Sequence, residues 1–346
     1  MNKHIFVLLA LIFTLSGCDR CNRNSSKVVP KVKASKIESI RQREKIDIKI
    51  LRCEQALAAF DTNNMTAGLQ AMQKDYSFFI GDNPQDPNVA EGLKMFLNYP
   101  VNQQLLKAVN QQYKDISDWE KQLNNAFSLL KYYFPKAKIP RVYTAISGLD
   151  NIPHALYVDS LLIINLDWYL GSNFSLYKKL GAEVPKYISK RFSRQYAIPD
   201  AMREISYQYI SCKESRSTML EEMITEGKTL LFMEALLPEL PDSVLFPFEQ
   251  QKIDWATQNE GQIWAYLIEK NLLYSTDKKN IRKFVGDAPF TAAFGKQSPG
   301  AIGKWIGWQI CRSWLKNNPQ KTLSDLAIQL DAQQILTESK YKPKRK

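Results

Sequence analysis

The pattern of apolar and polar positions divides the chain into distinct stretches. One basic residue, Lys3, precedes an apolar run from Ile5 to Leu15 that contains a single hydroxyl, Thr14. The run has the length of a signal-peptide core and falls short of the roughly 20 apolar residues a membrane-crossing helix needs. Residues 19–40 then turn polar and lysine-rich with no helical period, which predicts a tether rather than part of a core. Helical spacing follows. Ile46, Ile50, Cys53, Leu57 and Phe60 recur every three or four residues and predict one helix. Leu105 to Tyr113 and Trp119 to Phe134 repeat the pattern, the second closed by Pro135. The texture changes at Ile139–Ile146 and Ala155–Leu166, which are short, β-branched and bounded by turn residues. They predict two or three strands of a small sheet, with Ser147-Gly148 and Asp159-Ser160 as turns. Helices resume over Pro199–Ser211, Thr218–Leu237, Gln258–Leu273 and Gly300–Lys316. A helical first half, a small sheet and further helices make an α+β fold, predominantly helical.

The last of these helices has an unusual edge. Gly303, Gly307 and Cys311 form a small-residue line at four-residue spacing, beside Ile302, Ile306 and Ile310. With Gly300 just before it, such an edge predicts very close packing on another backbone. Aromatic residues at 11% and only 14 glycines fit a packed body rather than a fibrous or linker-rich chain.

Charge alters the picture only after it is located. The formal net charge is +12, but residues 19–38 and 338–346 carry net +4 each, and the body retains about +3. The excess lies near the N-terminal segment and at the basic C-terminal tail, where it favours anionic lipid headgroups. Nucleic acid is not an expected partner.

The apolar run ends in Leu15-Ser16-Gly17-Cys18, a lipobox-like sequence. Small residues before the cysteine admit a signal peptidase, and the Cys18 thiol accepts a diacylglycerol. Several acyl chains on one residue give stable anchoring, at about 0.8 kcal/mol per buried CH₂. The expectation is a signal peptide over 1–17 and a chain lipid-anchored at Cys18 to a membrane of the bacterial cell envelope, facing the periplasm. Inner and outer membrane are not distinguished. Four cysteines remain, Cys21, Cys53, Cys212 and Cys311, too few for a disulfide scaffold and without metal-ligand spacing. One bridge among them is compatible with an oxidising envelope, and its pairing is left open.

The second half contains an arrangement similar to a zincin metallopeptidase, in which a helix after the sheet carries H-E-x-x-H and a later helix supplies a glutamate. Here the first helix reads Arg203-Glu204-Ile205-Ser206-Tyr207 and the second Thr225-Glu226-Gly227-Lys228. The glutamates stand where the template places them, but both histidine positions are filled by other residues. The chain has only His4 and His154, and His4 belongs to the signal segment. One imidazole cannot supply two ligands, and Arg203 puts a permanent charge where a dication would sit. The expectation is no metal, no cofactor and no zinc enzyme, with Arg203 bonded to Glu226 or Glu204 in a vestigial pocket of Arg203, Glu204, Tyr207 and Glu226. A solvated helix face is the plainer account of Arg203 and Glu204. The competing enzymatic reading is an envelope hydrolase using Glu204 and Glu226 as paired carboxylates. His154 is expected to be structural.

The lipobox, the strands, Arg203-Glu204-x-x-Tyr207, the segment Glu221–Pro238 and Ser298–Ile310 together resemble the gliding-motility lipoprotein GldB family. The resemblance runs over nearly all of the chain after Cys18 and is densest from Ala201 to Leu315. It implies a lipid-anchored component of surface gliding, working with protein components of an envelope motor and its secretion machinery, and a body related to zinc peptidases with the metal site decayed. It carries over a role for Cys18 and no catalytic residue. The expected layout is signal 1–17, lipidated cysteine and tether 18–40, helical part 41–136, zincin-like α+β part 137–337 and basic tail 338–346.

Overall fold

The computed structural model describes residues 34–343 apart from 82, 151–152, 180–183 and 213–216. The signal segment, Cys18, Cys21 and residues 344–346 therefore lie outside the described residues.

The described chain begins in helix α1 (Ala34–Arg43), whose residues 34–40 are assigned to the tether from their polarity. Ile40 is the reason: it is buried, and α1 packs on α6 (Ser117–Tyr133). The helix expected over Ile46–Phe60 is instead strand β1 (Ile50–Arg52) followed by the short helix α2 (Cys53–Ala58). Tertiary bonds override the helical spacing. Asn124 Oδ1 accepts from the Ile48 amide at 2.7 Å and Glu120 Oε1 from the Ile50 amide at 3.0 Å, so α6 satisfies this backbone in an extended form. Glu54, fully buried, pairs with Arg52 and accepts from Thr144 Oγ1 at 2.8 Å, tying the segment to the sheet.

Three helices follow: α3 (Met65–Ile80), α4 (Pro87–Asn98) and α5 (Pro100–Gln112). Asp86 caps α4 and Pro87 begins it, a favourable start because proline lacks the amide that would go unpaired there. After α6 come strands β2 (Arg141–Ala145), β3 (Ala155–Val158) and β4 (Leu161–Asn165). The sheet order is β1-β2-β4-β3, parallel except for β3, which pairs antiparallel with β4 at the edge. Asp159 and Ser160 both take positive φ (49° and 65°), as a two-residue hairpin requires. The Ser147–Gly148 turn is fixed by buried Asp167, which accepts from the Ser147 amide at 3.0 Å and the Leu149 amide at 2.9 Å.

The rest is helical: α7 (Lys186–Ser189), α8 (Ala197–Ser206), α9 (Met219–Leu236), α10 (Asp242–Leu245), α11 (Gln250–Glu269), α12 (Lys278–Val285), α13 (Ile302–Asn317), α14 (Leu323–Ile328) and α15 (Ala332–Ser339). Thr218 and Glu221 form a capping box that starts α9. Helix α9 buries residues on all sides, including Leu220, Met223, Ile224, Leu231 and Phe232, and so runs through the core. Helix α13 crosses it more closely than side chains allow. A Cβ on Gly307 would lie 1.7 Å from the Met223 carbonyl oxygen, and one on Gly227 would lie 2.3 Å from the Gly307 carbonyl carbon. Gly300 approaches Ala288 as tightly, with 1.8 Å from a Cβ to its carbonyl oxygen, and a Cβ on Gly303 would meet Phe284, Val285 and Met223 at 3.0–3.2 Å. Cys311 completes the edge, its thiol donating to the Ile224 carbonyl.

The C-terminal segment read as a charged tail is docked as far as Tyr341. Its hydroxyl donates to Glu260 at 2.6 Å, its ring meets Trp264 edge-on, and Glu338 accepts from Trp314 Nε1 at 2.8 Å. The aromatic ring of Tyr341, rather than the lysines around it, decides where the body ends.

Candidate functional site

Helix α8 lies against the edge strand β3 on one side and α9 on the other, which brings Arg203 to Glu226. The Arg203 Nη1–Glu226 Oε2 separation is 3.5 Å, with both side chains largely buried. Lys304, from the first turn of α13, reaches the same oxygen at 3.4 Å. Lys304 also donates to Asp287 at 3.1 Å, and Arg191 lies 4.0 Å from Asp287 and 3.1 Å from Asp200. The cavity among these groups holds about 180 Å³ and is rimmed by aromatic side chains that include Tyr207, Phe246 and Phe248.

Three cations therefore face two carboxylates, Glu226 and Asp287, across the cavity. Burial opposes ionisation of Asp287, yet Lys304 and the more distant Arg191 and Arg203 outweigh it and hold the carboxyl below its ordinary range. Tyr207, more than half exposed, shares the cavity lining with Arg203. The cationic density is what a dication would meet, and it opposes one.

Glu204 stands apart. It does not line the cavity, and burial, reinforced by Asp200 and opposed by Arg203, raises its carboxyl above the usual value. Arg203, Tyr207 and Glu226 thus share one cavity, and Glu204 does not. Lys304, Arg191 and Asp287 were not singled out in the sequence. Lys304 stands in a segment notable there for its glycines, and nothing local marks the other two, because only tertiary packing brings them together.

The Glu226-Gly227-Lys228 triplet serves three surroundings. Glu226 enters the cavity, Gly227 meets α13, and buried Lys228 bonds the Gln329 and Ala327 carbonyls. The template spacing that drew attention to this triplet coincides with a helix crossing. A second ionic group was also not anticipated. Buried Arg312 lies 3.8 Å from the Trp308 ring centre, donates to Glu234 at 2.8 Å and to Asp242 at 3.0 Å, while Trp308 Nε1 donates to the same Glu234 oxygen. His154 stacks on Trp168 at 4.4 Å with Phe192 and Tyr169 edge-on, and burial lowers its pKa against the pull of Asp200.

Among the described residues no three His, Cys, Asp or Glu side chains converge as a metal site, and no helix is long and apolar enough to cross a membrane. Comparison with curated proteins and with solved structures gives no match. A family model described as gliding motility protein GldB matches residues 33–343, nearly the whole chain, and the chain belongs to that family.

Proposed function

We propose that this chain is an envelope lipoprotein, anchored through acyl groups on Cys18 after removal of residues 1–17, that serves the gliding apparatus and its secretion machinery as a non-catalytic component. The body is read as zincin-like with a filled metal pocket. Two features support that ancestry: a mixed sheet whose only antiparallel strand lies at the edge, and helix α8 packed against that strand. The observation that carries the non-catalytic reading is the approach of Arg203 and Lys304 to one oxygen of Glu226. Both cations engage that carboxylate from within the protein, so its charge is already committed to internal ionic contacts. The hydrolase alternative needs Glu204 and Glu226 on a shared substrate, and only Glu226 lines the cavity.

The test is co-purification from gently solubilised membranes, comparing wild type with Cys18→Ala. Recovery of motor or secretion components with wild type, reduced in the variant, is the expected result. Cells carrying Glu204→Gln with Glu226→Gln at normal protein level should still glide. Non-gliding cells would instead point to chemistry at these carboxylates.

A further inference from the structure

A second cavity, of about 460 Å³, lies away from the charged site, between α2, α3, α4 and the end of β2. Its floor is made by Cys53 and Leu57 of α2, Met72 and Ile80 of α3, and Ala145 with Ile146. Leu93 and Phe96 of α4 form a half-buried wall, and Gly81, Asn88 and Gly92 form an exposed rim. Among the described residues lining it none is charged, and Asn88 supplies the one polar side chain apart from the Cys53 thiol. Burial pushes that thiol up to about 12, so it stays neutral.

This composition restricts the ligand. A peptide strand would bring amides and carbonyls that need partners, and these walls offer few. A hydrocarbon chain needs none. The volume falls within the range of small-molecule sites, roughly 300–1,000 Å³, and its apolar lining favours an apolar guest. Phe78 on α3, Met95 on α4 and Tyr99 at the end of α4 are large apolar side chains exposed on the helices that wall the cavity. Residues 18–33 span at most about 55 Å when extended, so a body tethered at Cys18 stays near the bilayer.

The geometry points to a binding site for the acyl chain of a membrane lipid, with the headgroup left at the Asn88 rim. Membrane anchoring, as proposed above, enters only as the source of that lipid; the cavity and its chemistry are independent of it.

Gly92 provides the means of testing this. It lies in α4, and a Cβ built on it meets nothing within 4 Å, so a large side chain there can enter the mouth without displacing backbone. The full chain carrying Cys18→Ala, which has no lipid of its own, is titrated with cis-parinaric acid. Saturable fluorescence is expected, weakened about tenfold or more by Gly92→Trp at an unchanged or higher melting temperature. Leu93→Lys, which places a charge in the wall, should weaken binding similarly and serves if Gly92→Trp does not fold. Absence of saturable binding by folded protein, or binding indifferent to both substitutions, overturns the site. In a second arm, lipidated wild type is floated with phosphatidylethanolamine vesicles containing a photoreactive acyl phospholipid. Crosslinks at Leu93 and Phe96 support a membrane lipid as occupant. Flotation without such crosslinks, alongside a positive titration, overturns that source in favour of the chain's own acyl group. Failure to float refutes the anchor, and the titration alone then decides the cavity.

Discussion

Two buried thiols make the chain sensitive to alkali. Cys53 and Cys311 are raised from the ordinary 9.0 to about 12 in the folded chain, in both cases chiefly by burial. Between those values the unfolded chain has released protons that the folded chain retains. Stability is therefore complete below pH 9 and declines as pH rises towards 12, each thiol contributing a slope of about 1.4 kcal/mol per pH unit. Urea unfolding at pH 8 and pH 10 should show a loss about 1 kcal/mol smaller in Cys311→Ala than in wild type. Equal losses would remove Cys311 from the account. The Arg312 group makes a different demand. Removing a guanidinium bonded to Glu234 and Asp242 leaves buried Glu234 with only the neutral Trp308 donor and no cation, so Arg312→Ala should destabilise by about 3–5 kcal/mol, measured by denaturant unfolding. A loss below about 1 kcal/mol would mean that water relieves Glu234.

At the scale of elements, the crossing of α9 and α13 is the least forgiving contact. Gly307→Ala forces a methyl group into the Met223 carbonyl, and the two helices must separate. The expected cost is about 3 kcal/mol or more, the upper range for overpacking. Gly92→Ala, also in a helix but facing open space, should stabilise by about 0.5–1 kcal/mol. Thermal melts of the pair test the contrast, and similar melting temperatures would refute the close approach. This difference in surroundings also explains what was legible in the sequence. Helices that bury a repeating face, such as α6 and α8, and the hairpin at Asp159-Ser160 announce themselves through period or turn chemistry. Strand β1 was hidden because its extended backbone depends on Asn124 and Glu120, 70 or more residues away. The charged cavity was half legible for the same reason. Arg203 and Glu226 stand at template positions, whereas Lys304, Arg191 and Asp287 join them only through packing.

For the molecule as a whole, the C-terminal segment belongs to the body. A chain ending at Thr337 loses the Tyr341–Glu260 and Glu338–Trp314 bonds and the Tyr341–Trp264 contact. It also loses the bonds that the Ser339 carbonyl accepts from Ser313 and Asn317 and the Glu338 carbonyl from Asn318, and should be less stable by about 3 kcal/mol or more, as read by a melting curve. An unchanged melting temperature would show that the segment only rests on the surface. The opposite end is held differently. Helix α1 is fastened by Ile37 and Ile40 and by an ion pair between Arg41 and Glu239, the latter 68% exposed and worth little in water. Among the described residues, traction through the proposed anchor at Cys18 would reach this ten-residue helix first. Peeled off and drawn straight, it would lengthen from about 15 Å to about 35 Å. The leash would then gain about 20 Å of slack before any load fell on the sheet, so α1 would act as a mechanical fuse between the proposed anchor and the domain.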